Sequence, residues 1–244
     1  MHTQEKSKNK GKRVMIKKII AITALLIGLG FMLIPYDALL LYKSKRNFAI
    51  SPEPKGDSMP TKLSSSAKAS ADKSKNIFVI QKHDATNLHY DFRLEIDGVL
   101  KSWAVPKGPS TDPHDKRLAM ETEDHPMDYA TFEGVIPEGS YGAGPVIVWD
   151  TGTFDNIKEK DGKKIPLKQC YKNGQIEVDL HGKKLQGCYA LIRTAPEDAK
   201  KWLLIKMRDE HADARRNPVS SQPESVLSGK TIEELQTTKK KTKK

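Results

Sequence analysis

The sequence predicts an all-β protein, a barrel or sandwich of antiparallel strands with helices at its periphery. Three observations lead there. Short runs rich in β-branched and aromatic residues follow one another closely from residue 77 to residue 207. Gly, Pro and Asp-Gly turns separate most of them. No long helical period intervenes, which argues against a parallel α/β sheet.

Taken in order, residues 38–46 (ALLLYKSKR) suggest a short helix, and Ser51–Lys75 reads as a loosely packed Ser/Pro/Lys-rich connection. Strands are expected at Ile77–Gln81, His89–Ile96, Val99–Val105, Arg117–Glu123, Val146–Trp149, Gln175–Leu180, Cys188–Arg193 and Trp202–Met207. Asp97-Gly98 between two alternating runs is a strong hairpin signal. Lys107-Gly108-Pro109 and Asn173-Gly174 supply further turns. Helical material at Pro196–Lys200 and Ile232–Leu235 is peripheral, and no internal repeat is visible.

The chain has 244 residues and a formal charge of +11, concentrated at its ends. Residues 1–18 carry seven Lys/Arg against one Glu, and residues 239–244 carry five Lys, leaving 30 basic and 30 acidic side chains on the other 220 residues. The body is therefore balanced, and only the tails offer salt-sensitive attraction to nucleic acid or anionic lipid. Cys170 and Cys188 lie in two strand-like segments without C-x-x-C spacing, which argues against a disulfide framework or a structural zinc site and fits a reducing compartment.

Residues 19–34 (IIAITALLIGLGFMLI) are sixteen uncharged positions after a Lys-rich leader. That falls short of the roughly 20 residues that span a bilayer, although Val14–Ile16 extends the run past Lys17 and Lys18. Lys43, Lys45 and Arg46 put positive charge on the far side as well, so no orientation is specified. Three readings stand: a membrane anchor over residues 14–34, an uncleaved signal-like segment, or a non-native extension with Met32 as the true start.

The most informative stretch is HDATNLHYDFRLE. From His89 to Ile96 polar and apolar residues alternate strictly, so His89, Asp91, Arg93 and Glu95 share one strand face. At about 3.3 Å per residue, His89 and Asp91 lie roughly 6.6 Å apart along the strand, within reach of one ion. Asp84–Asn87 is turn-rich and can fold His83 back to complete a His-His-Asp ligand set. Arg93, one step further on, offers a guanidinium fork to a phosphate held by that ion. A polar strand face is more often merely solvated, yet histidine is a poor choice for solubility alone.

Downstream, Glu123, His125 and Tyr129 cluster where a strand gives way to a Gly/Pro-rich loop, the usual place for a site. A protonated His125 can donate to a phosphate oxygen or protonate a leaving alkoxide, Glu123 can orient an imidazole, and Tyr129 can donate a hydrogen bond. Glycines 134, 139, 142 and 144 read as tight turns, since no P-loop or dinucleotide fingerprint is present.

These residues converge on a known family. The chain resembles the 3′-phosphoesterase domain of bacterial DNA ligase D and its stand-alone relatives, from about Leu39 to Leu235. The likeness rests on LLLYKSKRNFAISPEPKG at Leu39–Gly56, FVIQKHDATNLHYDFRLE at Phe78–Glu95, WAVPKGPS at Trp103–Ser110, EDHPMDYATFEGVIPEGSYGAG at Glu123–Gly144, and the closing WLLIKMRDEHAD and PESVLSGKTIEEL. The resemblance implies a small β-barrel over residues 38–215, between a leader at 1–37 and a C-terminal extension with a Lys-rich tail at 216–244. It implies a manganese-dependent enzyme that trims a 3′-terminal ribonucleotide and removes a 3′-phosphate in double-strand break repair by non-homologous end joining.

Carried over by motif position, His83, His89 and Asp91 match the family's metal ligands, and Arg93 and His125 its phosphate contacts. Gln81, Glu123 and Tyr129 match supporting residues, Lys107 and Arg117 basic positions at the scissile phosphate, and Arg46 and Glu53 N-terminal residues that reach back into the site. One departure is visible: Asn47 stands where the family commonly has Asp, which puts one of the two activities in doubt. Softness arguments equally allow zinc or cobalt and rank zinc the tighter binder.

Two other classes compete. A His-His-carboxylate set also describes non-haem iron oxygenases, but Arg93 and His125 point to phosphate. A nucleic-acid module without catalysis would keep the barrel and the basic tails. A chain of 244 residues has no room for a polymerase or ligase domain, so the resemblance expects a separate ligase and a Ku-like end binder as partners. DNA or RNA-tipped DNA 3′ ends are the expected substrate, a cytoplasmic monomer the expected state.

Overall fold

The computed structural model describes residues 37–57, 76–195 and 198–241. The apolar stretch at 19–34 and loop residues 58–75 fall outside them. Among the described residues no helix is long and apolar enough to cross a membrane. By its contacts the chain divides into Met1–Asp37 and Ala38–Lys244.

The strands are β1 (Asn76–Asp84), β2 (Leu88–Ile96), β3 (Val99–Val105), β4 (Lys116–Glu121), β5 (Gly134–Ile136), β6 (Gly144–Asn156), a two-residue ribbon β7 (Glu159–Lys160) and β8 (Lys163–Lys164), β9 (Gln175–Gly182), β10 (Gln186–Ala195) and β11 (Asp198–Lys206). Helices are short: α1 (Leu40–Ser44), α2 (Leu167–Asn173), α3 (Pro218–Ser221) and α4 (Ile232–Lys241), with a 3-10 turn at Met127–Thr131. Eight strands run β1-β2-β3-β4-β11-β10-β9-β6 and close through a β6–β1 pairing, while β5 adds to the start of β6. The expected all-β class is thus an antiparallel barrel rather than a sandwich.

Alternation explains the closure. Phe78, Ile80, Tyr90, Phe92, Leu94, Trp103, Val105, Trp149, Val178, Leu191 and Trp202 belong to one buried cluster on one face of the sheet. The opposite face of β1–β3 carries Gln81, His83, Asp91, Arg93 and Ser102. It is covered by a second cluster that includes Tyr42, Val79, Leu100, Tyr129, Phe132 and Val148. Polar side chains on that wall are buried because α1 and the 3-10 turn pack over it.

Asp97-Gly98 forms the expected hairpin turn, with both residues at positive φ (56° and 79°), as a two-residue primed turn requires. It fixes the β2–β3 register at Ile96–Val99 and therefore sets Arg93 opposite Ser102. Between Ile80 and Gln81 the β1–β6 register slips, a bulge one step from the polar row.

Several expectations are corrected. Residues 198–200, expected to be helical with Pro196, belong to β11. A five-residue helical preference is too short to hold against pairing with β10. Cys170 lies on α2, not on a strand: Pro166 opens that helix and Gly174, at φ 75°, ends it. β6 runs from Gly144 to Asn156, far beyond Val146–Trp149, because it serves β5, β1 and β9 in turn. The start of the Ser/Pro-rich loop is packed rather than loose, with Ser51 and Glu53 buried. The segment after residue 216 also packs on the barrel: Trp149 Nε1 donates to Gln222 O at 2.7 Å, Val226 N to Val148 O at 2.9 Å, and Ser225 Oγ to Glu133.

Candidate active site

Register places the site. β1 and β2 pair His83 with His89 and Gln81 with Asp91, and β2–β3 pairs Arg93 with Ser102, so these side chains form adjacent rows on one wall. Of these, His83, His89, Asp91 and Arg93 line a cleft of about 290 Å³ together with Arg46, Glu123, His125, Tyr129, Tyr141 and Gly142.

At one end stand His83, His89 and Asp91. One ligand atom from each lies within 4.8 Å of the others. His83 Nδ1 is 3.6 Å from Asp91 Oδ2, and His89 Nε2 is 3.6 Å from Asp91 Oδ1. The far nitrogens are committed: His83 Nε2 lies 2.8 Å from the carbonyl of Gly142, and His89 Nδ1 2.8 Å from that of Asn87. A carbonyl only accepts, so each far nitrogen carries the proton. In the neutral imidazoles this leaves Nδ1 of His83 and Nε2 of His89 with lone pairs on the side of Asp91. Backbone carbonyls fixing the tautomer of two imidazoles beside a carboxylate is the arrangement metal-ligating histidines need. The donor set therefore fits a divalent cation. Burial works against ionising Asp91, but the Arg93 guanidinium beside it holds its carboxyl well below the usual carboxylate range.

Arg93, only 2% exposed, is held on three sides. Nε donates to Gln81 Oε1 at 2.9 Å, one terminal nitrogen to Ser102 Oγ at 2.6 Å, and the other to Asp91 Oδ2 at 3.0 Å. Gln81 is fixed in turn by donating to the carbonyls of Tyr129 and Phe132 at 3.1 and 2.9 Å. The Tyr129 ring centroid lies 5.0 Å from the guanidinium carbon. A charge so braced is oriented before any anion arrives.

His125 is pinned to β3 by reciprocal 2.9 Å backbone bonds with Leu100. Its Nδ1 donates to Glu123 O at 2.8 Å, and its Nε2 lies 3.2 Å from Arg46, a pure donor. Burial, then Arg93 and Arg46, push its pKa well below the usual imidazole value. The free protein holds His125 neutral, so the protonated donor expected from sequence requires the negative charge of a substrate.

Arg46 reaches back over this wall as the resemblance implied. Its guanidinium carbon lies 3.7 Å from the Tyr42 ring centroid, and it donates to Glu53 at 2.7 Å and Glu123 at 3.0 Å. Tyr129 Oη donates to the same Glu53 oxygen at 3.0 Å. Burial raises Glu123, but hydrogen bonds from Lys45 and Arg46 win and hold it below its ordinary value. Glu53→Ala leaves Arg46 without its closest anion and is expected to cost about 3–5 kcal/mol, the range for breaking a buried pair. Urea denaturation checks this, and a loss below about 1 kcal/mol contradicts it.

Of the sequence-predicted residues, the structure brings His83, His89, Asp91, Arg93, His125, Glu123, Tyr129 and Arg46 to the cleft, with Gln81 and Glu53 directly behind it. Lys107 and Arg117 are not among the cleft-lining residues. The β3–β4 ladder covers Trp103–Glu121 and Ala104–Met120; Lys107 follows the end of β3, and Arg117 lies near the start of β4, opposite Leu204 of β11. Arg117 there donates to Asp115 at 2.7 Å. Asn47 is also outside: its Oδ1 accepts from Ala49 N at 3.1 Å in a local turn an aspartate would cap equally well. Sequence reasoning missed Ser102, Lys45, Tyr42 and Tyr141. Ser102 alone carried a usable signal, the two-residue turn that puts it opposite Arg93.

Residues 81–193 match the family model described as the DNA ligase D 3′-phosphoesterase domain. The chain is 45% identical over 194 residues to the multifunctional non-homologous end joining protein LigD of Pseudomonas aeruginosa, covering 78% of this chain and 21% of that protein. It is 44% identical over 174 residues to the corresponding DNA repair protein of Mycobacterium tuberculosis (71% of this chain, 20% of that protein). For the LigD of Mycolicibacterium smegmatis the figure is 42% over 174 residues (71% and 21%). The chain thus spans about a fifth of the length of these curated relatives. With the His-His-Asp set, the braced arginine and the barrel in place, residues 81–193 belong to the DNA ligase D 3′-phosphoesterase domain family.

Proposed function

We propose that this protein is a metal-dependent hydrolase of DNA 3′ ends that removes 3′-phosphates and 3′-terminal ribonucleotides to leave a 3′-hydroxyl, in break repair by non-homologous end joining. The observation that carries the reading is the pair of imidazoles whose lone pairs are aimed at Asp91 beside the braced Arg93. The names of the relatives supply the repair context.

A divalent cation on His83, His89 and Asp91 supplies Lewis acidity toward a phosphoryl oxygen and makes water a stronger acid. Manganese suits this mixed nitrogen and oxygen set, and zinc or cobalt are the alternatives. Arg93 presents fixed donors to the phosphate and neutralises charge that grows on its oxygens. His125, neutral beforehand, accepts a proton as the phosphate's charge enters, and then donates to a phosphoryl oxygen or to the leaving ribose oxygen. Glu123 and Glu53 hold Arg46 against His125, and Tyr129 and Gln81 keep Arg93 in register. Lys107 and Arg117 are assigned to nucleic acid beside the cleft. The sealing ligase and a Ku-like end binder are separate partners in this scheme.

Primer–templates ending in a 3′-phosphate or a single 3′-ribonucleotide test the reading. With manganese, mass spectrometry is expected to show strands ending in a 3′-hydroxyl, and chelator is expected to stop the reaction. Unchanged strands of both kinds overturn the proposal, leaving a binding module.

A further inference from the structure

We infer that Tyr141 is the platform on which the base beside the reacting 3′-phosphate stacks, so that the cleft takes a nucleotide end rather than any phosphate monoester; this rests on the phosphoesterase reading above. Tyr141 is 51% exposed yet lines the cleft that holds the metal set. Exposure alone means little for a tyrosine. What sets this ring apart is how it is held. Lys45 Nζ lies 4.3 Å from the ring centroid and donates to Tyr141 Oη at 3.2 Å. The same ammonium donates to Glu123 Oε2 at 3.0 Å, which ties the ring to the Arg46–His125 network.

The backbone holds it as firmly. Ser140 N donates to Pro137 O and Ala143 N to Ser140 O, both at 3.1 Å, and Gly139 and Gly142 sit at positive φ. The very next carbonyl, that of Gly142, is the one that fixes His83. One tight turn therefore places the carbonyl that orients His83 and an exposed aromatic ring one residue apart. In this inference the nucleoside of a phosphate bound at the His83 end lies along the cleft wall that Tyr141 lines.

Among the described residues that line the cleft, the other large ring is Tyr129, and it is not free to stack. Tyr129 is 2% exposed and bonded to Glu53. The remaining lining residues are small or aliphatic, such as Ala85, Ala104 and Ile136, or belong to the imidazole, carboxylate and guanidinium groups already described. A ring already braced costs little entropy on binding, and stacking on it accepts every base, as an end-trimming enzyme needs.

The test uses the full chain and two 3′-phosphorylated primer–templates, one with adenine on its last nucleotide and one abasic there. Wild type is expected to show a KM about tenfold lower for the adenine end, within the range for one base–aromatic stack. Tyr141→Ala is expected to collapse that ratio toward one through KM rather than kcat. Tyr141→Phe, which keeps the ring and loses only the Lys45 hydrogen bond, is expected to retain it. The inference is overturned if wild type shows no base preference, if Tyr141→Ala keeps it, or if Tyr141→Phe loses as much as Tyr141→Ala. Absence of phosphate release from both strands by wild type sinks the phosphoesterase reading itself, a different result from lost base preference.

Discussion

Asp91→Asn and Asp91→Ala are both expected to end 3′-phosphate release at saturating manganese, while differing in stability. Asparagine keeps the shape of the carboxylate and still accepts the Arg93 hydrogen bond, but it brings no charge to the two imidazoles. Alanine removes that acceptor as well. Arg93 then keeps Gln81 and Ser102 but loses its anion, a loss expected to cost about 3 kcal/mol or more for so buried a guanidinium. Chevron or urea curves on the pair separate the two effects. His83→Ala belongs with Asp91→Asn, since His83 gives the same set its second imidazole. Turnover near wild type in Asp91→Asn or His83→Ala removes that residue from the metal set.

Arg93→Lys is expected to lower kcat by roughly 10²–10³, the range for losing one preorganised donor to developing charge. Charge is conserved in this variant, so the loss measures geometry. The guanidinium meets Gln81, Ser102 and Asp91 at once, in three directions. An ammonium on a flexible stem satisfies fewer of these at a time and presents no fork to a phosphate. Gln81 Oε1 also loses the Arg93 donor in a buried site, so a melting temperature lowered by several degrees accompanies the kinetic loss. Single-turnover kinetics and thermal melting read the two independently. A kcat within about twofold of wild type removes the fork from the chemistry.

Much of this site was legible because strand geometry is periodic. Alternation from His89 to Ile96 put the polar row on one face, and Asp97-Gly98 fixed the partner register without any tertiary information. What alternation cannot show is which face is inside. Here the apolar face lines the barrel, while the polar face is buried by a second layer brought from residues 39–54 and 123–136, far off in sequence. Arg46 and Glu53 were therefore reachable only through the family likeness. Residues 198–200 were misread because a short helical preference says nothing about the strands waiting on either side. Tyr141 was hidden in a loop that reads as turns alone, since its role comes from Lys45 nearly a hundred positions earlier.

Manganese titration followed by electron spin echo spectroscopy tests the central claim most directly, because it reads the ligands rather than the reaction. One manganese ion per chain is expected, with modulation from two directly bound imidazole nitrogens, one of which disappears in His83→Ala. A bound ion with no nitrogen coupling, or a spectrum that His83→Ala leaves unaltered, contradicts the placement of the cation on His83, His89 and Asp91.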